Sequence, residues 1–404
     1  MSRTNKGFFS LCISLLTLAI IFNGCEDPGS VGGEFVERPT LTFDTLTVSN
    51  TEALSYNGYS GRPDQIPFGS YSDPVFGDVN VLTLLQPARS HNLPDSISIG
   101  EDFLLKLQLQ LDSLETYGDT LSQSDFTMYE INTQWRGRSL RVDDEIQYGT
   151  QVGSFTVDQE KNIIVDLSQQ WVDKYKSYYF NDNANADSLY VSELKGIALV
   201  SNQNNAKISF TRPGSARFML INGVSSDTTD TVGIPLRDFG FTVERSGAIN
   251  SPNTFPLHST LESLMKISMP DSLLKAESNT KNIIRADLIL YEAEQLLDES
   301  LPANHHRPSI SRLNLFYERP VEPVYEYQFG SANFSGTPSE EDRAVKVNVT
   351  NYVNNVLFGN ESRNELILGI GSPAGHLRST LFYDHTASDD LKPKLIITSL
   401  SDQQ

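Results

Sequence analysis

The sequence predicts an all-β protein built as two tandem antiparallel β-sandwich, jelly-roll-like domains with few short helices. Three observations carry this reading. First, apolar and polar residues alternate with period two. Leu105, Leu107, Leu109 and Leu111 are interleaved with Lys106, Gln108 and Gln110, and Val345, Val347 and Val349 with Lys346, Asn348 and Thr350. That pattern belongs to strands with one face buried and one face wet. Second, turn-rich gaps separate these runs, and long helical periodicity is nearly absent. Third, each half runs through a similar order. An apolar strand passes into a short amphipathic segment (IIVDLSQQWVDKY; VKVNVTNYVNNV), then a Gly-containing strand and a final apolar strand follow. Such recurrence reads as duplication.

In chain order, the first segment is a signal. Arg3 and Lys6 precede an apolar run from Phe8 to Phe22, then Gly24, Cys25 and the acidic pair Glu26-Asp27. A charged end, a membrane-entering stretch and a cysteine after a small residue make residues 1–24 a lipoprotein signal peptide and Cys25 the lipidated N-terminus. The places three and two before the cysteine hold Phe22 and Asn23, where a leucine and a small residue are usual. The run is short for a bilayer span, which needs about 20 apolar residues. Of the two cysteines, Cys12 leaves with the signal, so Cys25 has no internal disulfide partner.

Residues 25–40 are Gly-, Pro- and acid-rich, the composition of a flexible tether. The first sandwich is expected over 41–222, a polar linker over 222–232 (NGVSSDTTDTV), and the second sandwich over 233–404. Short helices are expected at Asp166–Tyr175, Thr260–Met265 and Thr350–Leu357. The 31 basic and 51 acidic residues give a net charge of −20, or −22 once Arg3 and Lys6 are removed. Such a surface repels nucleic acid and anionic headgroups, so no nucleic-acid partner is expected.

Cys25-Glu26-Asp27, the element Phe68–Gly77 (FGSYSDPVFG) and the closing strand KPKLIITS resemble a Bacteroidota outer-membrane lipoprotein family, domain of unknown function family 4270. Each half is also similar to DNRLRE-type jelly-roll domains, through Trp171 and Pro393-Lys394-Leu395. Ser215-Ala216-Arg217 replaces the closing proline in the first half. The resemblance implies an outer-membrane location and no assigned activity. Glu26 and Asp27 are similar to a signal for export to the outer surface.

Several residues are candidates for chemistry. Asp73-Pro74-Val75-Phe76-Gly77 reads first as a tight turn stapled to the core by Phe76. Tyr178, Tyr179 and Phe180 are candidate glycan-stacking rings, weighed against packing under a loop. Asn181, Asn183, Asn185 and Asp187 place oxygens at alternate positions and are candidate calcium ligands, without the glycine and distal glutamate of an EF-hand. Apart from calcium, no cofactor is expected. Asp143-Asp144-Glu145 reads as a solvated turn, Trp171 as core and Trp135 as the more exposed tryptophan. His305-His306 lacks a third ligand and reads as loop. No G-x-S-x-G, H-E-x-x-H or phosphate-binding loop is present. The expected function is a non-enzymatic, lipid-anchored, surface-exposed outer-membrane module. It would bind polysaccharide or an outer-membrane protein partner and contact the membrane through its N-terminal lipid. The alternatives are a glycan-active hydrolase or lyase on a jelly-roll scaffold, and an accessory subunit of a transport or secretion complex.

Overall fold

The computed structural model describes residues 40–89, 99–100, 102–181, 183–202, 205–223, 230–248, 251–274, 281–316, 318–320, 327–329, 334–336, 344–359 and 363–401. Cys25, Glu26 and Asp27 lie outside the described residues, as do the signal peptide and nearly all of the tether. The elements in chain order begin β1 (Thr40–Thr47), β2 (Asn50–Leu54), β3 (Ile66–Asp73), β4 (Gly77–Pro87), β5 (Phe103–Asp119), β6 (Ser124–Ile131), β7 (Tyr148–Val157) and β8 (Asn162–Asp166). Helices α1 (Gln169–Tyr179) and α2 (Ala186–Glu193) lead to β9 (Ile197–Ser201), β10 (Lys207–Asn222), β11 (Asp230–Ser246), β12 (Thr254–His258) and β13 (Leu264–Ser268). Then come α3 (Asp271–Leu274), β14 (Lys281–Tyr291), α4 (Glu294–Glu299), β15 (His305–His306), β16 (Leu313–Phe316), β17 (Glu318–Pro320), β18 (Tyr327–Phe329) and β19 (Phe334–Gly336). The chain closes with β20 (Ala344–Asn348), α5 (Thr350–Phe358), β21 (Glu365–Ile370), β22 (Ser379–Tyr383) and β23 (Lys394–Ser401).

The protein is an all-β, antiparallel sandwich structure with a few short helices. One large sheet runs β15–β5–β10–β11–β4–β9–β6–β7, with β3 paired to β10 and β4, and β8 to β5. Its core side carries the alternating residues expected from the sequence: Leu105, Leu107 and Leu109 of β5, and Phe218 and Leu220 of β10, pack with Trp171 and Tyr175 of α1. Trp171 is the core residue expected of it, stacked between Tyr175 and Phe218 at 6.2 and 6.0 Å. A second hydrophobic core lies between β1–β23–β14–β20 and β19–β16–β21–β13–β2, filled by Leu288, Val347, Leu368, Leu395 and Tyr352.

Strand pairing divides the chain differently from the expected 41–222 and 233–404. β1 pairs with β23, Leu41 opposite Leu400, and β2 pairs with β13. The first strands after the tether therefore complete the sheets of the second module. Residues 222–232 do not join two domains: Asn222 pairs with Asp230 across a β10–β11 hairpin within the large sheet. Val232 and Ile234 continue the buried alternation in β11. A Ser/Thr/Asp-rich connection between two strands of one sheet shares its composition with a linker. Of the expected helices, 166–175 and 350–357 appear as α1 and α5. The third, 260–265, does not: Leu261 sits at φ 69° and the chain enters β13 at Leu264. Positive φ in a branched residue stops a helix.

The FGSYSDPVFG element is the β3–β4 hairpin, and its tip reaches into the second module. Val75 and Phe76 are buried with Ala293 and Leu297 of the α4 region and Leu381 of β22. Gly77 turns the chain at φ +73°, where a Cβ would lie 2.2 Å from the Ser246 carbonyl oxygen. The expected staple thus exists, but it joins two modules rather than closing one turn onto its own core.

Candidate functional site

At the root of this clasp lies a buried polar node. The Asp73 side chain is fully buried. Its Oδ1 accepts from the Val75 and Phe76 amides at 2.8 and 3.0 Å, and its Oδ2 accepts from the Tyr117 hydroxyl at 3.0 Å. Arg307 donates to both oxygens, each at 2.8 Å, and also to the Leu297 carbonyl. Burial opposes ionisation of Asp73, but the Arg307 fork and the two amides outweigh it and hold the carboxyl below its ordinary range. Burial, with the Asp73 charge behind it, pushes Tyr71 up to about 12. His258 hydrogen-bonds Ser379 at 2.8 Å and packs edge-on to Phe76. Burial first, and then the nearby Arg245 charge, keep it neutral well below the ordinary histidine range. The Arg307 bonds to Asp73 and to the Leu297 carbonyl tie the root of the hairpin to the α4 region.

His305 and His306, expected to lie in a loop, form β15 against Asp119 and Gly118 of β5. The His305 ring lies 5.7 Å from Tyr71, and His306 Nδ1 is 2.6 Å from the Thr116 carbonyl. Among the described residues, no group of three or more His, Cys, Asp or Glu side chains is gathered as metal ligands.

The candidate glycan rings are engaged in packing. The Tyr178 hydroxyl donates to Glu193 Oε2 at 2.5 Å, and its ring meets Tyr190 edge-on. Tyr179 packs on Phe103, Tyr175 and Phe180, and Phe180, at 38% exposure, lies against Phe103. The cluster caps the open end of the first core, which the sequence could not distinguish from an exposed platform. The candidate calcium loop holds a cation of the protein's own. The Arg89 guanidinium donates to the Tyr178 and Asn181 carbonyls and to Asp187 Oδ1 at 3.2, 2.9 and 2.5 Å. Asn181 Oδ1 accepts from the Asn183 amide, and Asn185 precedes the first residue of α2. Of the oxygens assigned to calcium, Asp187 Oδ1 is therefore spent on an arginine and Asn181 Oδ1 on a turn hydrogen bond.

A concave feature with ligand character lies elsewhere. On the outer face of the large sheet, Glu244 and Thr242 of β11, Asn80 and Leu82 of β4, and Val200 of β9 stand side by side through the β11–β4 and β4–β9 pairings. The 132–147 segment folds over the adjoining part of this face. Trp135, Leu140 and Ile131 pack on Leu84 and Ala198, with Ile146 at their edge. Trp135 is the more exposed tryptophan, as expected, but only at 9% against 3% for Trp171, and it donates to the Lys195 carbonyl at 2.8 Å. The segment leaves a groove of about 510 Å³ between itself and the sheet.

The groove floor is Leu82 and Val200; its sides carry Asn80, Ser201 and Thr242, and the carboxylates Asp143, Asp144, Glu145 and Glu244. Tyr148 stands 40% exposed at one end, supported by Tyr129 at 5.1 Å. No Lys or Arg is among the lining residues. The Arg141 amide fixes Asp144 at 2.8 Å, while the Arg141 guanidinium lies over the Tyr59 ring. Asp143-Asp144-Glu145 is thus a turn, as expected, and also one wall of the groove. Carboxylates and amides on the walls accept hydrogen bonds from hydroxyl or ammonium groups, an exposed ring offers a stacking face, and the uniform negative sign disfavours anionic ligands. Asn80, Tyr148, Thr242 and Glu244 carried no signal in the sequence beyond strand alternation, because their adjacency arises from pairing across strands far apart in the chain.

Fold and site together define a β-sandwich protein with an acidic sheet-face groove. No family model matches the chain, and no curated protein matches it. Among solved structures, one named BspA_C_mut aligns at 6% identity over 91% of this chain and 92% of that one, with a TM-score of 0.15. The C-terminal domain of the Streptococcus pyogenes antigen I/II-family protein AspA aligns at 6% identity over 85% and 91%, with a TM-score of 0.13. At these scores neither likeness carries an argument about function.

Proposed function

We propose that the protein is a non-catalytic, lipid-anchored cell-envelope module, held at the outer membrane by Cys25, whose groove binds a neutral or amino-substituted polysaccharide. The groove is the observation that carries the binding reading: apolar floor, hydroxyl, amide and carboxylate walls, and the half-exposed Tyr148 ring at one end. That combination suits sugar hydroxyls and the apolar face of a pyranose ring. The order of Arg3, the apolar run, Gly24 and Cys25 supports the anchor.

The test is retention of the purified protein on a panel of neutral, amino-substituted and acidic polysaccharides, with reducing ends assayed in parallel. Retention by a neutral or amino-substituted polymer, weakened at least about tenfold by Tyr148→Ala (about 1.4 kcal/mol), is expected. Retention by acidic polymers alone, or by none, contradicts the reading. Release of reducing ends would favour the hydrolase alternative.

A further inference from the structure

The outward face of the β1–β23–β14–β20 sheet departs from the acidic character of the chain. β1 is an edge strand whose inward Thr42, Asp44 and Leu46 alternate with outward Leu41 and Phe43, which are 52% and 67% exposed. The register sets Leu41 beside Leu400, and Phe43 in one row with Thr398 and Arg285. A bulge between Ile283 and Arg285 leaves Ile284 50% exposed. Two rows on, Lys394 and Lys346 flank Ile289. Within these rows the one carboxylate described, Asp287, is bonded by Arg285 Nε at 2.6 Å. Lys394 Nζ bonds the Asp389 carbonyl at 3.3 Å and lies 5.3 Å from the centre of the Tyr291 ring, so an apolar edge backed by three cations, each with contacts inside the protein, is set into a chain with 51 acidic and 31 basic residues.

We infer that this face rests on a phospholipid surface, with Leu41, Phe43 and Ile284 entering the headgroup layer and Arg285, Lys346 and Lys394 meeting its phosphates; the inference rests on the reading that Cys25 is lipidated. Position in the chain argues for that occupant. Thr40 opens β1, fifteen residues after Cys25, so the tether spans at most about 50 Å and, if flexible, about 20 Å on average. The apolar edge is therefore the part of the folded body closest along the chain to the bilayer. Exposed apolar side chains flanked by Lys and Arg are the composition of an interfacial contact. Tethering raises the local concentration of membrane to the millimolar range, so a weak face suffices. A two-fold contact of the face with a second copy would instead bring its cations toward one another.

The test uses the full protein purified from membranes and reconstituted in vesicles of mixed neutral and anionic phospholipid. A fluorophore is placed on Thr45→Cys, which shares the face, and in a separate sample on Ser154→Cys in β7 as a control. The expected result is quenching by an aqueous quencher at least about fivefold slower at Thr45→Cys than at the control, with the difference removed by Phe43→Ser. Equal quenching at the two sites overturns the inference. So does protection at Thr45→Cys that appears without vesicles and grows with protein concentration, which would assign the face to a second copy. The anchor is read separately, by intact mass. If Cys25 carries no lipid, the anchor reading fails, and the label is read on the unlipidated chain with vesicles added. Protection there still supports a membrane face, and its absence refutes one.

Discussion

Replacing Arg307 by Met is the sharpest perturbation of the clasp. The substitution keeps an unbranched apolar stem where the guanidinium lies 5.2 Å from the centre of the Phe76 ring, but it removes both bonds to Asp73 and the bond to the Leu297 carbonyl. Asp73 has no exposed side-chain surface, so its charge is left in the protein with only the Tyr117 hydroxyl and two amides to compensate it. Breaking a buried pair in this way costs about 3–5 kcal/mol. The protein has three ways to respond: it takes up a proton at Asp73, admits water, or parts the modules at the hairpin tip. Urea denaturation at pH 7 should show the loss, and limited proteolysis should find new cleavage near the hairpin tip. Adding Asp73→Asn to Arg307→Met should recover part of the loss, a coupling expected of groups in contact. The native Asp73 carboxyl lies below its unfolded value, so its contribution is present above that unfolded value and is lost as pH falls through the folded one. The native protein should therefore lose this stability in acid, while Arg307→Met should show little of that loss. A loss below about 1 kcal/mol for Arg307→Met, with unchanged proteolysis, would refute the clasp.

Three further outcomes follow from particular residues. Gly77→Ala should destabilise by about 1–3 kcal/mol, because φ is positive and the new Cβ meets the Ser246 carbonyl; equilibrium denaturation checks it. His258 has a folded value well below its unfolded one, so its contribution is intact above about pH 6.5 and is lost as pH falls; His258→Gln should remove that pH-dependent loss from a series of denaturation midpoints. Removing residues 40–54 strips β1 and β2 from the second core, so hydrogen exchange should accelerate in β23 and β13 while β5 and β10 stay protected.

Strand alternation made the fold class legible. Leu105, Leu107 and Leu109, and Val345 and Val347, face the two cores as their spacing requires. Partner choice was not legible. Nothing in Thr40–Thr47 (TLTFDTLT) says that its neighbour is β23, over three hundred residues away, because alternation defines a face and not a pairing. The same limit hid the groove, since Asn80 and Glu244 meet only through the β4–β11 register. At the aromatic cluster and the Asn-rich loop the residue types were read correctly as rings and oxygen donors. Their partners, Phe103 and Arg89, come from distant segments and give both features structural roles. In Phe68–Gly77 the turn chemistry was readable from Asp73, Pro74 and Gly77, whereas its docking against α4 and β22 was not.

The proposed anchor is a single modified residue, Cys25, carrying the folded body at a membrane. The direct measurement is the intact mass of the protein extracted from native membranes. A chain beginning at Cys25 with the added mass of a diacylglyceryl group, with or without a further acyl chain, is expected. A chain that keeps residues 1–24, or one cleaved there with an unmodified Cys25, would contradict it.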